Sequence, residues 1–359
     1  MRKEDVDLKV ELLSRGARIA EEGWGHYKRS AGFQIMLDGL KVSVPAWGKY
    51  KRYKYVENSP LLIERDGDDW WLSRDGEFIR DITVHERPKF YDMKTSDGVD
   101  MWRVFHVCGH DCLLTGVRQT CYYMKGGKEC KFCGTIHNPR YEGRLDTKTP
   151  AQLAEVAETG LKLGMQDVVL SSGITKTPDM GVYDVSEAAR AIKSRVNVPI
   201  QAEVAVPKDP FLLEEFRDCI DSISINIETL DQKVREDVCP DKSQIPYEDY
   251  FKAYEISLDM FGENQVNSWL IAGIGESDES IIEGAKRLAE AGVYPMLVAL
   301  RPTKWTAFAD RKPPTTERLQ NLSMEVAGIV KDAGLNPEKN KAGCMRCGAC
   351  SAVKDYVNL

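Results

Sequence analysis

Residues 149–173 read TPAQLAEVAETGLKLGMQDVVLSSG. Thr149 suits a helix N-cap, Pro150 the first helical position and Gln152 the place three residues after the cap. The amphipathic stretch from Pro150 to Leu163 is followed by the short apolar run Asp167 to Gly173, which reads as a buried strand. The same unit recurs in both directions along the chain. Pro199 to Val206 (PIQAEVAV), Ser222 to Glu228 (SISINIE), Gln265 to Gly273 (QVNSWLIAG) and Tyr294 to Pro302 (YPMLVALRP) are further apolar runs. Helical stretches lie between them at Val185 to Ser194, Pro210 to Cys219, Tyr247 to Met260, Ser277 to Ala291 and Thr316 to Ala333. Counting Leu113 to Thr120 as the first strand makes six βα units, and such alternation calls for parallel strands with helical crossovers. The expected class is α/β, a partial (β/α)6 TIM-type barrel. A doubly wound open sheet is the competing arrangement, which alternation alone does not separate from it.

Outside this region the texture changes. Residues 1–106 begin with one charged helix, about Glu4 to Glu22, and continue through turn-rich segments carrying Asp66-Gly67 and Asp75-Gly76, dipeptides that close hairpins. They predict a small α+β extension packed on a barrel of residues 107–335. The polar stretch Asn336 to Gly343 (NPEKNKAG) breaks periodicity and reads as a short linker within a C-terminal cysteine-rich segment, 336–359.

Composition limits the function. In 359 residues, 42% hydrophobic and 9% aromatic side chains build a sizeable core and exclude disorder. A net charge of −7 removes the basic footprint of a phosphate-backbone binder, so nucleic acid is not an expected partner. The N-terminal MRKEDVDLKVE has no apolar core of a leader, and the longest apolar runs, near Trp269 to Ile274 and Met296 to Leu300, fall far short of the roughly 20 residues that span a bilayer. The expectation is a cytoplasmic protein with no membrane partner.

The ten cysteines are grouped. Cys121, Cys130 and Cys133 form one set, Cys344, Cys347 and Cys350 a second, and Cys108 with Cys112 a pair, leaving Cys219 and Cys239 as ordinary buried thiols. In a cytosolic chain such grouping favours metal or redox chemistry over disulfides. Cys121-x8-Cys130-x2-Cys133 follows the first strand and so falls at the C-terminal mouth, where barrels of this kind build active sites. Three thiolates on an iron–sulfur cube leave one iron open, whereas an electron-transfer cluster takes four. Phe132 would shield such a cluster from water. A structural zinc with His137 as fourth ligand, or plain buried thiols, are the alternatives.

Cys344-Met-Arg-Cys347-Gly-Ala-Cys350 also suits an iron–sulfur cube, with zinc again the alternative. Candidates for a fourth donor are Ser351, a substrate, Cys108 or Cys112. Cys108 and Cys112 bracket Gly109-His110-Asp111, which reads as a hairpin tip where the two could chelate jointly or form a disulfide. Eight strand residues at about 3.3 Å each place Cys112 roughly 26 Å from Cys121, near the bottom of the barrel. Whether the tail cysteines stay there, structural or relaying electrons, or reach a substrate at the mouth is open at this level. His106, His110 and His137 are read as satisfied polar residues; Trp70-Trp71 as packing and Tyr122-Tyr123 as channel-lining or core residues.

With these motifs the chain resembles the radical S-adenosylmethionine (SAM) superfamily, whose usual Cys-x3-Cys-x2-Cys is here stretched by an insertion containing Gly126-Gly127. The resemblance covers about residues 113 to 335. It implies that Ser171-Ser172-Gly173 lies where the family meets the SAM amino group, although the usual acid is missing. It also implies that Asn226-Ile-Glu228-Thr229 matches the Asn-x-Asp/Glu-Thr motif whose acid binds the SAM ribose, and that Gly273-Ile-Gly275-Glu276-Ser277 matches a Gly-Leu-Gly-Glu segment of lipoyl synthases. A carboxylate such as Glu228 can accept both ribose hydroxyls; helix capping is its bland alternative. Glu203 ends in the same mouth as a second polar candidate or an ion-pair member. Arg301 could fork onto a carboxylate of SAM or substrate, or be a surface arginine.

The implied chemistry is one-electron reduction of the cluster, cleavage of SAM and hydrogen abstraction by a 5′-deoxyadenosyl radical, which a barrel mouth protects from solvent. The pattern including Ala342 to Ser351 is similar to a biotin-synthase-related family containing one partner of the two-protein archaeal lipoyl synthases. That resemblance implies a second, auxiliary [4Fe–4S] cluster as sulfur donor and an octanoyl group on a lysine of a carrier protein or peptide. It further implies a second radical SAM protein as partner and an electron donor such as ferredoxin. Methyl transfer, rearrangement or dehydrogenation are alternative radical reactions; an iron–sulfur electron carrier or a zinc-stabilised binding module are alternatives of other classes.

Overall fold

The computed structural model describes residues 1–20, 32–47, 52–137 and 143–359. Helix α1 (Lys3–Arg15) ends at Gly16, whose φ is 64° and where a Cβ would stand 2.3 Å from the Pro45 carbonyl oxygen. The expected continuation to Glu22 is therefore wrong: the chain turns at this glycine into strand β1 (Ala17–Ile19). Strands β2 (Phe33–Leu37), β3 (Leu40–Val44), β4 (Ala46–Trp47), β5 (Leu61–Asp66), β6 (Asp69–Arg74), β7 (Glu77–Asp81) and β8 (Thr83–Val84) follow. They form two small sheets, ordered β4-β1-β5-β6-β7 and β3-β2-β8. Both Asp-Gly dipeptides close hairpins as expected, β5 with β6 and β6 with β7, and Asp75 (φ 50°) and Gly76 (φ 89°) take the positive φ that such tight turns demand.

The second half builds one curled sheet from β9 (His106–Cys108), β10 (Cys112–Arg118), β11 (Asp167–Ser172), β12 (Ile200–Glu203), β13 (Ser222–Ser224), β14 (Val266–Ala272) and β15 (Tyr294–Ala299). Its order runs β15-β14-β13-β12-β11-β10-β9; β10 to β15 are parallel neighbours in chain order, and only β9 is antiparallel. A doubly wound sheet reverses strand order at a switch point, and this sheet does not. It is a partial TIM-type barrel. The crossover helices are α2 (Pro150–Lys162), α3 (Val182–Arg195), α4 (Gln232–Val238), α5 (Tyr247–Phe261) and α6 (Asp278–Glu290), and α7 (Thr316–Asp332) follows the last strand. Thr149 and Gln152 form the full capping box at the start of α2, each side chain bonding the other's backbone N–H. The stretch after Pro210 is a 3-10 helix, Pro210–Phe216, rather than an α-helix.

The outer strand faces are apolar and closely covered: a Cβ on Gly160 of α2 would come within 2.8 Å of Leu113. The lumen is different. Gln201, Ser222, Ser224 and Asn267 are all fully buried, with Ser224 Oγ donating to Asn267 Oδ1 at 2.7 Å. Barrel interiors are ordinarily filled by branched apolar side chains, so a polar lumen marks space used for something other than packing. Two short helices end the chain, α8 (Cys344–Cys347) and α9 (Val353–Val357). The stretch before them is not a loose linker: Asn340 donates to the Asn264 carbonyl at 3.0 Å, and Lys341 N–H to Gln265 Oε1 at 3.0 Å. Among the described residues no helix is long and apolar enough to cross a membrane.

Candidate active site

The first cysteine set sits at the C-terminal edge of β10. The inserted residues between Cys121 and Cys130 make a 3-10 turn, Tyr122–Gly126, stopped by Gly127 in the left-handed region at φ 67°. Lys131 N–H then donates to the Val238 carbonyl at the end of α4, and its ammonium pairs with Asp237, both at 2.9 Å or less. The insertion is thus a folded turn tied to a neighbouring crossover. Ser171, Ser172 and Gly173 lie alongside: Gly173 N–H donates to the Arg118 carbonyl at 2.8 Å, and a Cβ on Gly173 would meet the Thr120 carbonyl oxygen at 2.1 Å. Only glycine lets β11 end against the start of the cysteine loop.

The three thiols sense one another. Burial pushes Cys133 up to about 11, with Cys130 and Cys121 adding to the rise, and burial also raises Cys121. Cys130 is raised furthest, first by a side-chain hydrogen bond with Cys239 and then by burial. Phe132 packs half-buried beside Cys130 on the core. Among the described residues no three His, Cys, Asp or Glu side chains surround a single ion, so neither cysteine set, with or without His137, is arranged as a mononuclear zinc site. Thiolates of a cube bind separate irons and need no common centre. All ten cysteines are free thiols, so the disulfide alternative for Cys108 and Cys112 is not formed.

Opposite this loop stands Glu228, 8% exposed and held at φ 69°, a conformation that non-glycine residues adopt rarely and mostly at functional sites. Its Oε1 accepts from Lys242 Nζ at 2.6 Å. Lys242 is itself buried; burial lowers its affinity for a proton, but Glu228 first and then Tyr250 and Cys130 hold it well above the usual lysine range. Below it, Asn226 Nδ2 donates to Glu203 Oε1 at 2.7 Å, while Asn226 Oδ1 accepts from the Trp269 backbone at 3.2 Å. Burial raises the Glu203 carboxyl, opposed by Asn226 and reinforced by the charge of Glu228. The Gly273 to Ser277 segment is a turn held by its own acid: Glu276 accepts from the Gly273 and Ile274 N–H groups at 2.7 and 2.9 Å and pairs with Arg318.

The second cysteine set lies at the opposite, N-terminal edge of the strands. Gly343 N–H donates to Asp167 Oδ2 at 2.6 Å, Cys344 N–H to Gln201 Oε1 at 3.2 Å, and Ser222 Oγ to the Ala342 carbonyl at 2.9 Å. Arg346 bridges Asp111 and Asp167 at 2.9 and 3.2 Å. Lys9, 1% exposed, donates to the Gly348 carbonyl and pairs with Asp355 at 2.6 Å. Cys108 and Cys112 face each other in register and lie with this set: Cys112 is raised by burial, then by Asp167, Cys108, Cys347 and Cys344. Cys344 is raised by burial and next by Glu203. Arg301 is also here, donating to the Ser43 carbonyl at 2.8 Å beside Cys350 and Cys108.

Three functional candidates had no signal in the sequence. Lys242 and Cys239 lie on the loop after α4, where no spacing points to the barrel mouth. Gln201 is one polar residue within an apolar run, and its Nε2 is buried without a hydrogen-bond partner, as is Trp269 Nε1. His106 departs from the expectation of a satisfied polar residue: burial lowers its affinity for a proton and its Nε2 is buried without a hydrogen-bond partner, whereas His110 stacks on His85 at 4.3 Å.

Fold and site together define a barrel protein with a cysteine loop at its C-terminal mouth and buried acids below it. The radical SAM superfamily model matches residues 125–294, and the chain is similar to lipoyl synthases. It is 26% identical over 220 residues to a lipoyl synthase of Haemophilus influenzae, covering 58% of this chain and 65% of that one. Against a lipoyl synthase of Thermus thermophilus the figures are 28% over 186 residues, 49% and 54%. The match therefore spans between about half and two thirds of those relatives' own length. Among solved structures, a methylornithine synthase aligns at 17% identity over 62% of each chain with a TM-score of 0.49. A radical SAM methyltransferase from Sphaerobacter thermophilus aligns at 17% over 77% and 76% with a TM-score of 0.46. The superfamily whose model matches uses a [4Fe–4S] cluster and SAM, and three thiols on a glycine-lined loop beside a buried carboxylate fit both.

Proposed function

We propose that this chain is a radical SAM enzyme of the lipoyl-synthase type, which inserts sulfur into an unactivated C–H bond of an octanoyl-lysine carrier. When bound, the first cluster and SAM supply a 5′-deoxyadenosyl radical and an auxiliary cluster on the tail cysteines supplies sulfur. Cys121, Cys130 and Cys133 would hold the first cluster and leave one corner for SAM. Glu228 would accept the ribose hydroxyls, with Lys242 orienting it through their 2.6 Å contact; Ser171, Ser172 and Gly173 would border the amino group.

One observation carries this reading: a single polar lumen joins the two cysteine sets. Asn226 Nδ2 donates to Glu203, the Ser224 hydroxyl is shared between Asn226 Oδ1 and Asn267 Oδ1, Asn267 Nδ2 donates to Gln201 Oε1, and the same Gln201 oxygen accepts from Cys344 N–H. A substrate lying along Glu203, Asn226 and Trp269 would meet both ends, and the unpartnered Gln201 Nε2 and Trp269 Nε1 are donors suited to the amide carbonyl of an acyl-lysine. The protein's part is to orient this chain and exclude water. The test is anaerobic incubation with octanoyl-lysine peptide, SAM and dithionite, with and without candidate second radical SAM proteins, read by mass spectrometry. Sulfur gained by the octanoyl chain supports the reading; 5′-deoxyadenosine formed with a methylated, rearranged or desaturated product, and no sulfur, refutes it.

A further inference from the structure

The tail cysteines have a fourth thiol beside them, contributed by β9. We propose that Cys108 completes a closed four-thiolate iron–sulfur site with Cys344, Cys347 and Cys350, capped by the Arg301 guanidinium, with Cys112 and Ser351 outside it. This rests on reading the tail as an iron–sulfur segment and is independent of sulfur insertion.

Gly109 shows how closely the two pieces meet. It has φ 64°, and a Cβ there would lie 2.2 Å from Cys347 Sγ and 3.8 Å from the Ala349 Cβ. The hairpin tip is bare so that the tail can close on it. Gly348, at φ 67°, ends α8 and turns the chain so that Cys350 comes back to the same space. Cys108 faces that space: its nearest influences after burial are Cys347 and Cys350, and Cys344 responds to Cys108, Cys350 and Cys347 together. All four keep partly accessible surface although protein surrounds them. The rival donors are otherwise engaged. Cys112 is 2% exposed and directs its S–H toward the Leu113 carbonyl at 3.7 Å. Ser351 is also 2% exposed, and its Oγ accepts from Val353 N–H at 3.3 Å at the start of α9.

Charge supports the same assignment. Each thiol loses its proton to solvent as its iron–sulfur bond forms, and four thiolates on an oxidised cube leave about two net negative charges in a buried place, which demands nearby cations. Arg301 stands against Cys350 and Cys108, fixed by Ser43 and flanked by Tyr53 and Tyr55, while Lys41 lies near Cys347. Four protein donors leave no corner for a small ligand, so the lower site is closed where the upper one is open.

The test uses the full chain carrying Cys121→Ala, Cys130→Ala and Cys133→Ala, reconstituted anaerobically with ferrous iron and sulfide. The expected result is about four irons per chain and a reduced-cluster electron paramagnetic resonance signal that SAM does not alter. Adding Cys108→Ala should remove one iron and give a three-iron signal in the oxidised protein. Cys108→Ser should keep the iron count with a shifted signal, and Cys112→Ala should change neither. Arg301→Gln should make the midpoint potential more negative. If the triple variant takes up no cluster, the auxiliary-cluster reading fails and this site fails with it. If it holds a cluster whose iron count and signal are unchanged by both Cys108→Ala and Cys108→Ser, only the closed site is overturned. The serine variant decides if the alanine variant misfolds.

Discussion

The mouth and the floor of this barrel carry the same donor, a trio of cysteines at short spacing, and assemble it by opposite means. At the mouth the trio belongs to one continuous loop, Cys121 to Cys133, and the rest of the barrel contributes Lys242, Glu228 and Cys239 around it. At the floor the trio sits on a tail of two short helices held by side chains from everywhere else: Asp167, Gln201, Asp111, Ser222 and Lys9. A loop held by its own turn leaves room for a ligand. A tail pinned from several directions suits a permanent group. In the function proposed above, the upper site exchanges its ligand and the lower one keeps a resident group.

The largest expected effect separates the two trios. Cys130→Ala should abolish SAM cleavage outright, whereas Cys347→Ala should retain some 5′-deoxyadenosine formation under dithionite and make no sulfur-containing product. Equal loss of cleavage in both variants would break the contrast. Next in size is Glu228→Gln, which keeps the shape but removes the charge. A hydrogen bond to a charged group contributes about 1.5–3 kcal/mol, so SAM affinity by equilibrium titration should fall roughly 10- to 100-fold, with the lower cluster's spectrum untouched.

Then come the supports of the floor. Lys9→Met leaves Asp355 buried without its cation and should cost about 3 kcal/mol, measured as a lower denaturation midpoint together with reduced iron in the lower site only. Gly173→Ala, which would press on the Thr120 carbonyl, should cost about 1–3 kcal/mol and reduce iron in the upper site only.

The smallest effect is one of pH. On α1, burial pushes the Asp5 carboxyl up, but hydrogen bonds from Arg2 and Arg80 overcome it and hold the value below the ordinary range. A depressed carboxylate stabilises the fold above its ordinary value of about 3.9 and loses that contribution as pH falls through the lowered one. The difference in melting temperature between the native chain and Asp5→Asn should therefore be constant from about pH 6 to 5 and shrink below about pH 4. A difference that grows on acidification would contradict the sign.

Much of this was legible from the chain itself because the fold is written in local periodicity. The capping box at Thr149, the six alternations and the Asp-Gly turns are local signals, and each appears where expected, except that the helix after Pro210 is a 3-10 helix. The short reach of β12 and β13 was not legible: the runs continue to Val206 and Glu228, but the ladders stop at Glu203 and Ser224, where polar side chains turn into the lumen. The end of α1 depended on the approach of Pro45 to Gly16, a tertiary contact. The cysteines could be grouped by spacing, yet their neighbours could not. Lys242 reaches Glu228 across a loop, Arg301 reaches the Ser43 carbonyl in the N-terminal extension, and Cys239, read as an ordinary thiol, touches Cys130. Long-range pairings of this kind leave no periodic trace.

The central claim is an open upper cluster and a separate lower one. Its most direct test is electron paramagnetic resonance of the anaerobic, dithionite-reduced chain before and after adding SAM labelled with 15N at the amino group. The account predicts two [4Fe–4S] signals, of which one changes on SAM addition, acquires coupling to the labelled nitrogen and disappears in Cys130→Ala. A single signal, or two signals both indifferent to SAM, would contradict it.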